Sequence, residues 1–132
     1  MAYEGPQIRI PGLKAGAAIV AADNYKFVKL SAARTVILCA GTTDIPIGVL
    51  QDAPVASGDE VSVCCIGVTK VQGDADLAAG NQIGTSADGQ AAAYTVADTT
   101  KHIVGQVILD NSAAAGLATV VINCAGNRSN IA

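Results

Sequence analysis

Tryptophan is missing from this 132-residue chain, and its other aromatic residues are Tyr3, Tyr25, Tyr94 and Phe27. A sugar-binding face built on stacked rings is therefore disfavoured, and any core must be made of Val, Ile, Leu, Ala and Cys. Charge is also scarce, at 14% against 51% apolar residues. A disordered linker needs the reverse balance. Eight basic residues face eleven acidic ones, with an isoelectric point near 4.8. That leaves no basic field to hold a phosphate backbone, so nucleic acid is not an expected partner. Long apolar runs are missing too. The longest, Ala15 to Ala22, is mostly alanine and far short of the roughly 20 residues that a bilayer span needs, so no membrane association is expected. The first ten residues lack the basic and apolar regions of a signal peptide, and the chain is expected to stay in the compartment where it is made.

Helical periodicity is nearly absent, and fourteen glycines interrupt every candidate helix. Only a short helical piece at Ala75 to Ala79 is conceivable. Alternating apolar and polar residues dominate instead. The expected strands are Ile19–Val20, Phe27–Leu30, Thr35–Cys39, Ile47–Leu50, Glu60–Cys65, Val68–Val71, Gln82–Thr85, Ala91–Tyr94, Ile103–Leu109 and Leu117–Asn123. Asp88-Gly89 reads as a hairpin turn because glycine accepts positive φ. Ser57-Gly58-Asp59 and Ala115-Gly116 read as tight turns between longer strands. The fold class is all-β: a small β-barrel or β-sandwich of short antiparallel strands. About two-thirds of the unfolded surface of a domain this size can be buried, enough for a core without staples.

The chain also repeats itself. Leu13-Lys14-Ala15-Gly16-Ala17-Ala18-Ile19 matches Leu77-Ala78-Ala79-Gly80-Asn81-Gln82-Ile83. Thr42-Thr43 with Ile47-Gly48-Val49 matches Thr99-Thr100 with Val104-Gly105-Gln106, and Ser57-Gly58 before one long strand matches Ala115-Gly116 before another. The order is the same in both halves, as in a duplicated β unit whose halves cannot bury their apolar faces alone. Chance similarity in an Ala/Gly/Val-rich chain is the alternative.

Residues 1–11 differ from the body at 12–126. They carry Pro6, Pro11 and the alternating Gln7-Ile8-Arg9-Ile10. The prolines hold the preceding residues extended. This composition suits an arm that adds as a strand to another chain's sheet, or an ordinary first strand of the domain itself. Gln7, Ile8, Arg9 and Ile10 are the candidate partner-binding residues. Residues 127–132 read as a polar tail.

Candidate chemistry is thin. Cys39, Cys64, Cys65 and Cys124 lie in apolar surroundings and read as buried free thiols, with disulfides possible in number only. No C-x-x-C pair occurs, His102 is near none of them, and neighbouring Cys64 and Cys65 should point to opposite faces of a strand. No metal site is expected. Asp44, Asp52, Asp74 and Asp76 read as solvated turn residues, without the further oxygen ligands of a calcium loop. No nucleophile–base pairing surrounds His102, and no glycine-rich loop opens a helix, so neither catalytic residues nor a cofactor are expected. Half the residues are apolar in a small domain, which leaves apolar area for neighbouring chains and suits life in an assembly.

The run Ile45-Pro46-Ile47-Gly48-Val49-Leu50-Gln51-Asp52-Ala53-Pro54, continuing through Ser57-Gly58-Asp59-Glu60-Val61-Ser62-Val63, resembles the capsid decoration or cement proteins of tailed bacteriophages. Gly67 to Val71, Leu77 to Gly84, Ala87 to Ala91 and Val104 to Val107 extend the likeness, which spans about residues 13 to 125. The chain departs from that family in its four cysteines and in lacking a long acidic or proline-rich N-terminal extension. The resemblance implies a non-enzymatic virion protein, made in the host bacterial cytoplasm and placed on the outer surface of the capsid. It further implies homotrimers that brace neighbouring copies of the major capsid protein. Another virion module, such as a tail tube or fibre component, is the alternative.

Overall fold

The alternating segments become strands. A computed structural model describes residues 2–95, 97–98, 100–111, 116–125 and 128–129. In chain order the strands are β1 (Gln7–Arg9), β2 (Lys14–Ala15), β3 (Phe27–Ala32), β4 (Thr35–Leu38), β5 (Gly48–Leu50) and β6 (Val63–Gln72). They continue with β7 (Gln82–Thr85), β8 (Ala91–Ala93), β9 (His102–Ile103), β10 (Gly105–Leu109), β11 (Leu117–Asn123) and β12 (Arg128–Ser129). The fold is all-β, and a single 3-10 turn at Ala21–Asp23 is the helical element among the described residues. Ala75 to Ala79 is loop, because Gly73 and Gly80 bracket it too closely for a helix to propagate.

Ten strands form one sheet in the order β2-β4-β3-β5-β6-β11-β10-β7-β8, with β1 added on β6; β9 and β12 pair separately. Among the described residues the strand pairs are antiparallel except β2 with β4, a parallel contact that the hairpin-rich sequence does not announce. The end of one expected strand, Glu60–Cys65, joins another, Val68–Val71, because β6 continues through Gly67, while Glu60 itself makes only a bridge to Lys14. Ile103–Leu109 is instead broken at Val104, and Ile19 contributes only a bridge to Val55. The Asp88-Gly89 turn is present, with Gly89 at φ 84, but the loop between β7 and β8 spans residues 86–90 rather than two. The turns at Ala115-Gly116 and the tail 127–132 lie largely outside the described residues; Arg128–Ser129 of that tail pair with β9.

The strand order exposes the duplication. The first half is β4-β3-β5-β6 and the second, read inward from the other end, is β8-β7-β10-β11. Each half is a hairpin followed by two further strands, and the halves meet where β6 and β11 pair from Gln72 opposite Leu117 to Ile66 opposite Asn123. Two of the three repeated sequence segments fall on equivalent strands, β5 with β10 and β6 with β11. The third does not: Ile19 bridges to Val55, whereas Ile83 sits within β7. Their burial in both cases reflects a shared apolar need, not a shared place.

The sheet is rolled rather than closed. Its end strands β2 and β8 do not pair with each other among the described residues. Instead Ala91 bridges to Gly73, and the Phe27 N–H donates to the Gly89 carbonyl at 2.7 Å, drawing the second hairpin against the first half. Where β3, β5 and β6 lie side by side in the first half, both faces are covered. Phe27, Val49 and Cys64 join one core, while their neighbours Val28, Leu50 and Val63 join another. This double burial explains why β5 reads as an unbroken apolar run. Burying each such side chain contributes about 1.5–3 kcal/mol, so the lack of large aromatics is offset by many small contributions.

Cys64 and Cys65 depart from simple alternation, since both lie in the same core. The register with β1 runs Gln7 opposite Gly67, Ile8 opposite Ile66, then Arg9 opposite Cys64, leaving Cys65 as an extra residue. Such a bulge turns two successive side chains toward one side.

Candidate interaction surface

The N-terminal segment lies on its own domain. Gly5 N–H donates to Val68 O at 3.0 Å, Val68 N–H donates to Pro6 O at 3.1 Å, and Ile10 N–H donates to Val63 O at 3.2 Å. Of the two readings of Gln7 to Ile10, the backbone is that of a first strand. Gly67 makes the approach feasible: it adopts φ 137, and a Cβ there would meet Pro6 O and lie 2.7 Å from Gln7 Cα. Glycine is needed at that contact.

The four candidate residues part company. Gln7 is half-buried, its Nε2 donating to Glu4 Oε2 at 3.2 Å and Val68 O at 3.1 Å. Arg9 is exposed and tied locally, with Nε donating to Gln7 Oε1 at 2.9 Å and Nη1 to Ser62 Oγ at 3.0 Å. Ile8 is 61% exposed, whereas Ile10 packs against both cores. Residues two apart on a regular strand share a face, and the register slip between Ile8 and Arg9 separates these two.

Further residues join this surface that sequence reasoning did not single out. On β11 the core takes Ala118, Val120 and Ile122, so Thr119 and Val121 point to the outer face. Thr119 is nonetheless fully buried, because the arm covers it. Tyr3 N–H donates to Thr119 Oγ1 at 2.8 Å, and Thr119 Oγ1 donates to Tyr3 O at 3.3 Å. Val121 is not covered. With Tyr3, Ile8 and Ile108 it stays between 40% and 61% exposed. Alternation could have flagged Val121 and Ile108 as outward apolar residues; nothing local to Tyr3 or Thr119 signals their contact, which spans 116 residues. Beside the arm opens a cleft of about 330 Å³, lined by Arg9, Pro11, Asp52, Glu60 and Ser62. Asp52 accepts from the Ser62 N–H at 3.0 Å.

The titratable groups divide between core and surface. All four cysteines are buried as thiols. Burial pushes the Cys39 thiol up to about 12 and Cys64 up to about 11, and raises Cys65 and Cys124 as well. A thiol so shifted carries almost no thiolate at neutral pH and is a poor nucleophile. Asp44 is held below the usual carboxylate range, first by Lys29 Nζ at 2.9 Å and then by the Ala40 and Gly41 N–H groups. No group of three or more His, Cys, Asp or Glu side chains that could hold a metal occurs among the described residues. No helix among the described residues is long and apolar enough to cross a membrane.

No protein-family model matches this chain, and no curated protein sequence does. Among solved structures, its fold is similar to that of the head fiber gp8.5 N base in bacteriophage phi29. The TM-score is 0.65 at 18% sequence identity, over 90% of this chain and 96% of that one. At that identity the likeness is one of fold.

Proposed function

We propose that this chain is a structural protein of a bacteriophage virion, a β module that decorates the outer surface of the head. The observation that carries the reading is the fold shared, over nearly the whole of both chains, with a phage head fiber base. The resemblance of residues 45–63 to cement proteins supports it independently of the fold.

In this reading the module sits at junctions between copies of the major capsid protein, as a homotrimer, and its role is mechanical rather than catalytic. A ligand that binds only the assembled shell stabilises that shell by its binding free energy at every site. Bridging several subunits makes each clamp multivalent. The exposed Tyr3, Ile8, Ile108 and Val121 offer apolar contact, and Arg9 adds a charge at its margin. Gln7, Ile8, Arg9 and Ile10 contribute through their seated strand, with Ile8 and Arg9 facing the shell.

The test is density-gradient co-sedimentation of the purified protein with tailed-phage capsids, before and after shell expansion. Saturable binding to expanded shells, lost when residues 2–10 are deleted, is the expected result. Absence of binding to any capsid overturns the reading, and undiminished binding by the deletion variant removes the arm from the contact. A fibre component is the second reading, favoured by the neighbour being a fiber base; filaments formed by the protein alone in electron micrographs would decide for it.

A further inference from the structure

The edge of β6 that receives the arm is built for an extended chain: β11 pairs along the opposite edge at Ile66 to Val68, and among the described residues no other strand pairs with this edge there. Val68 both donates to and accepts from the arm backbone, and Gly67 leaves the room that Pro6 and Gln7 fill. The Thr119 hydroxyl, on a fully buried residue, bonds both polar backbone groups of Tyr3. Without an arm these groups lose their partners. The arm meets them through its backbone, while Tyr3 and Ile8 keep about half or more of their surface in water.

The arm is joined to the body by Pro11 and Gly12. Both are exposed; Gly12 sits at φ 78 with no atom within 4 Å of where a Cβ would stand. Leu13 and Ala15 are then fixed at once by the 59–61 segment. The exposed pair Pro11-Gly12 is therefore the hinge between the seated arm and the anchored segment that begins at Leu13.

We propose that the arm is exchanged between copies of this chain, residues 2–10 of one copy occupying the β6 slot of another. Every arm contact just named is kept when the arm comes from an identical chain, so exchange alters only the path of the hinge. Crowding copies side by side raises their effective concentration for one another and favours the exchanged form. The proposal does not depend on what surface the copies are crowded upon.

Ile8 stands directly opposite Ile66, and opposed residues of an antiparallel pair lie roughly 4.5–5.5 Å apart, within disulfide reach. The experiment uses three full-length variants, Ile8→Cys, Ile66→Cys and the double variant, warmed at high concentration and oxidised. An equimolar mixture of the two single variants should give a covalent dimer on a non-reducing gel, at least tenfold above either variant alone. The double variant should give a covalent ladder. A mixture without dimer, with a double variant that closes only upon itself, overturns the proposal, because the slot then takes only its own arm. A double variant that does not cross-link overturns it also, because the slot then holds no arm at all. Failure of capsid binding would leave either gel result unchanged, so the two readings are tested separately.

Discussion

Gly48 on β5 and Gly105 on β10 occupy equivalent places in the two halves of the sheet, each with its Cα pressed against a carbonyl of the next strand inward. A Cβ on Gly48 would meet Cys64 O, and one on Gly105 would meet Val121 O. Backbone oxygens of a paired strand cannot step aside, so alanine at either position forces the strands apart. Gly48→Ala and Gly105→Ala are each expected to cost about 1–3 kcal/mol in urea unfolding. Gly41→Ala, whose Cβ would find nothing nearer than 3.5 Å, should stay within about 0.5 kcal/mol of the parent. Equal stability of all three would refute the close approach.

Asp44 gives the fold an acid sensitivity of known sign. Its folded pKa is lowered by Lys29 and by two backbone N–H groups. Its contribution is therefore present above the ordinary carboxylate value of about 3.9 and is lost as pH falls through the lower folded value. The same contact raises Lys29, so the alkaline limit lies above that amine's usual range. Thermal midpoints of the parent and Asp44→Asn should differ at pH 7 and converge toward pH 2–3. A constant difference across that range would show that the charge plays no part.

The thiols should be silent in the folded protein. With all four cysteines buried and their thiols shifted upward, Ellman's reagent at pH 8 is expected to react with none of them in native buffer. In guanidinium it should react with all four. Rapid native labelling would mean that the core containing Cys64, Cys65 and Cys124 opens on the timescale of the assay.

Thr119→Val keeps the shape of the side chain and removes the hydroxyl that ties Tyr3. The loss is expected to be about 1 kcal/mol, which corresponds to roughly fivefold faster hydrogen exchange at the Gly5 and Val68 amides. Exchange on β10 should not change. If the Gly5 amide exchanges as before, Thr119 does not hold the arm.

The sequence carried the fold class and most strand positions because alternation is a local signal. Gln82–Thr85 and Leu117–Asn123 were legible to the residue. Gly67 misled, since a glycine inside an apolar run reads as a break when its use is to let another strand approach. The bulge at Cys65 was equally hidden: it is set by the register against β1, some 57 positions earlier in the chain. The candidate surface was half legible. Gln7 to Ile10 stood out by their prolines and alternation, but the burial of Thr119 depends on Tyr3, and no local pattern encodes a contact at that separation.

The meeting of β6 and β11 has a consequence for each half on its own. From Ile66 to Gln72, β6 finds its hydrogen bonds on that side in the other half, and β11 depends on β6 in return. Severed from its twin, either half would carry an open ladder of unpaired amides and carbonyls along an apolar strand, a template for sticking to any extended chain. The duplication is thus also a safeguard: each repeat masks the aggregation-prone border of the other, and the order in which the two emerge during synthesis leaves the first one unguarded until the second arrives.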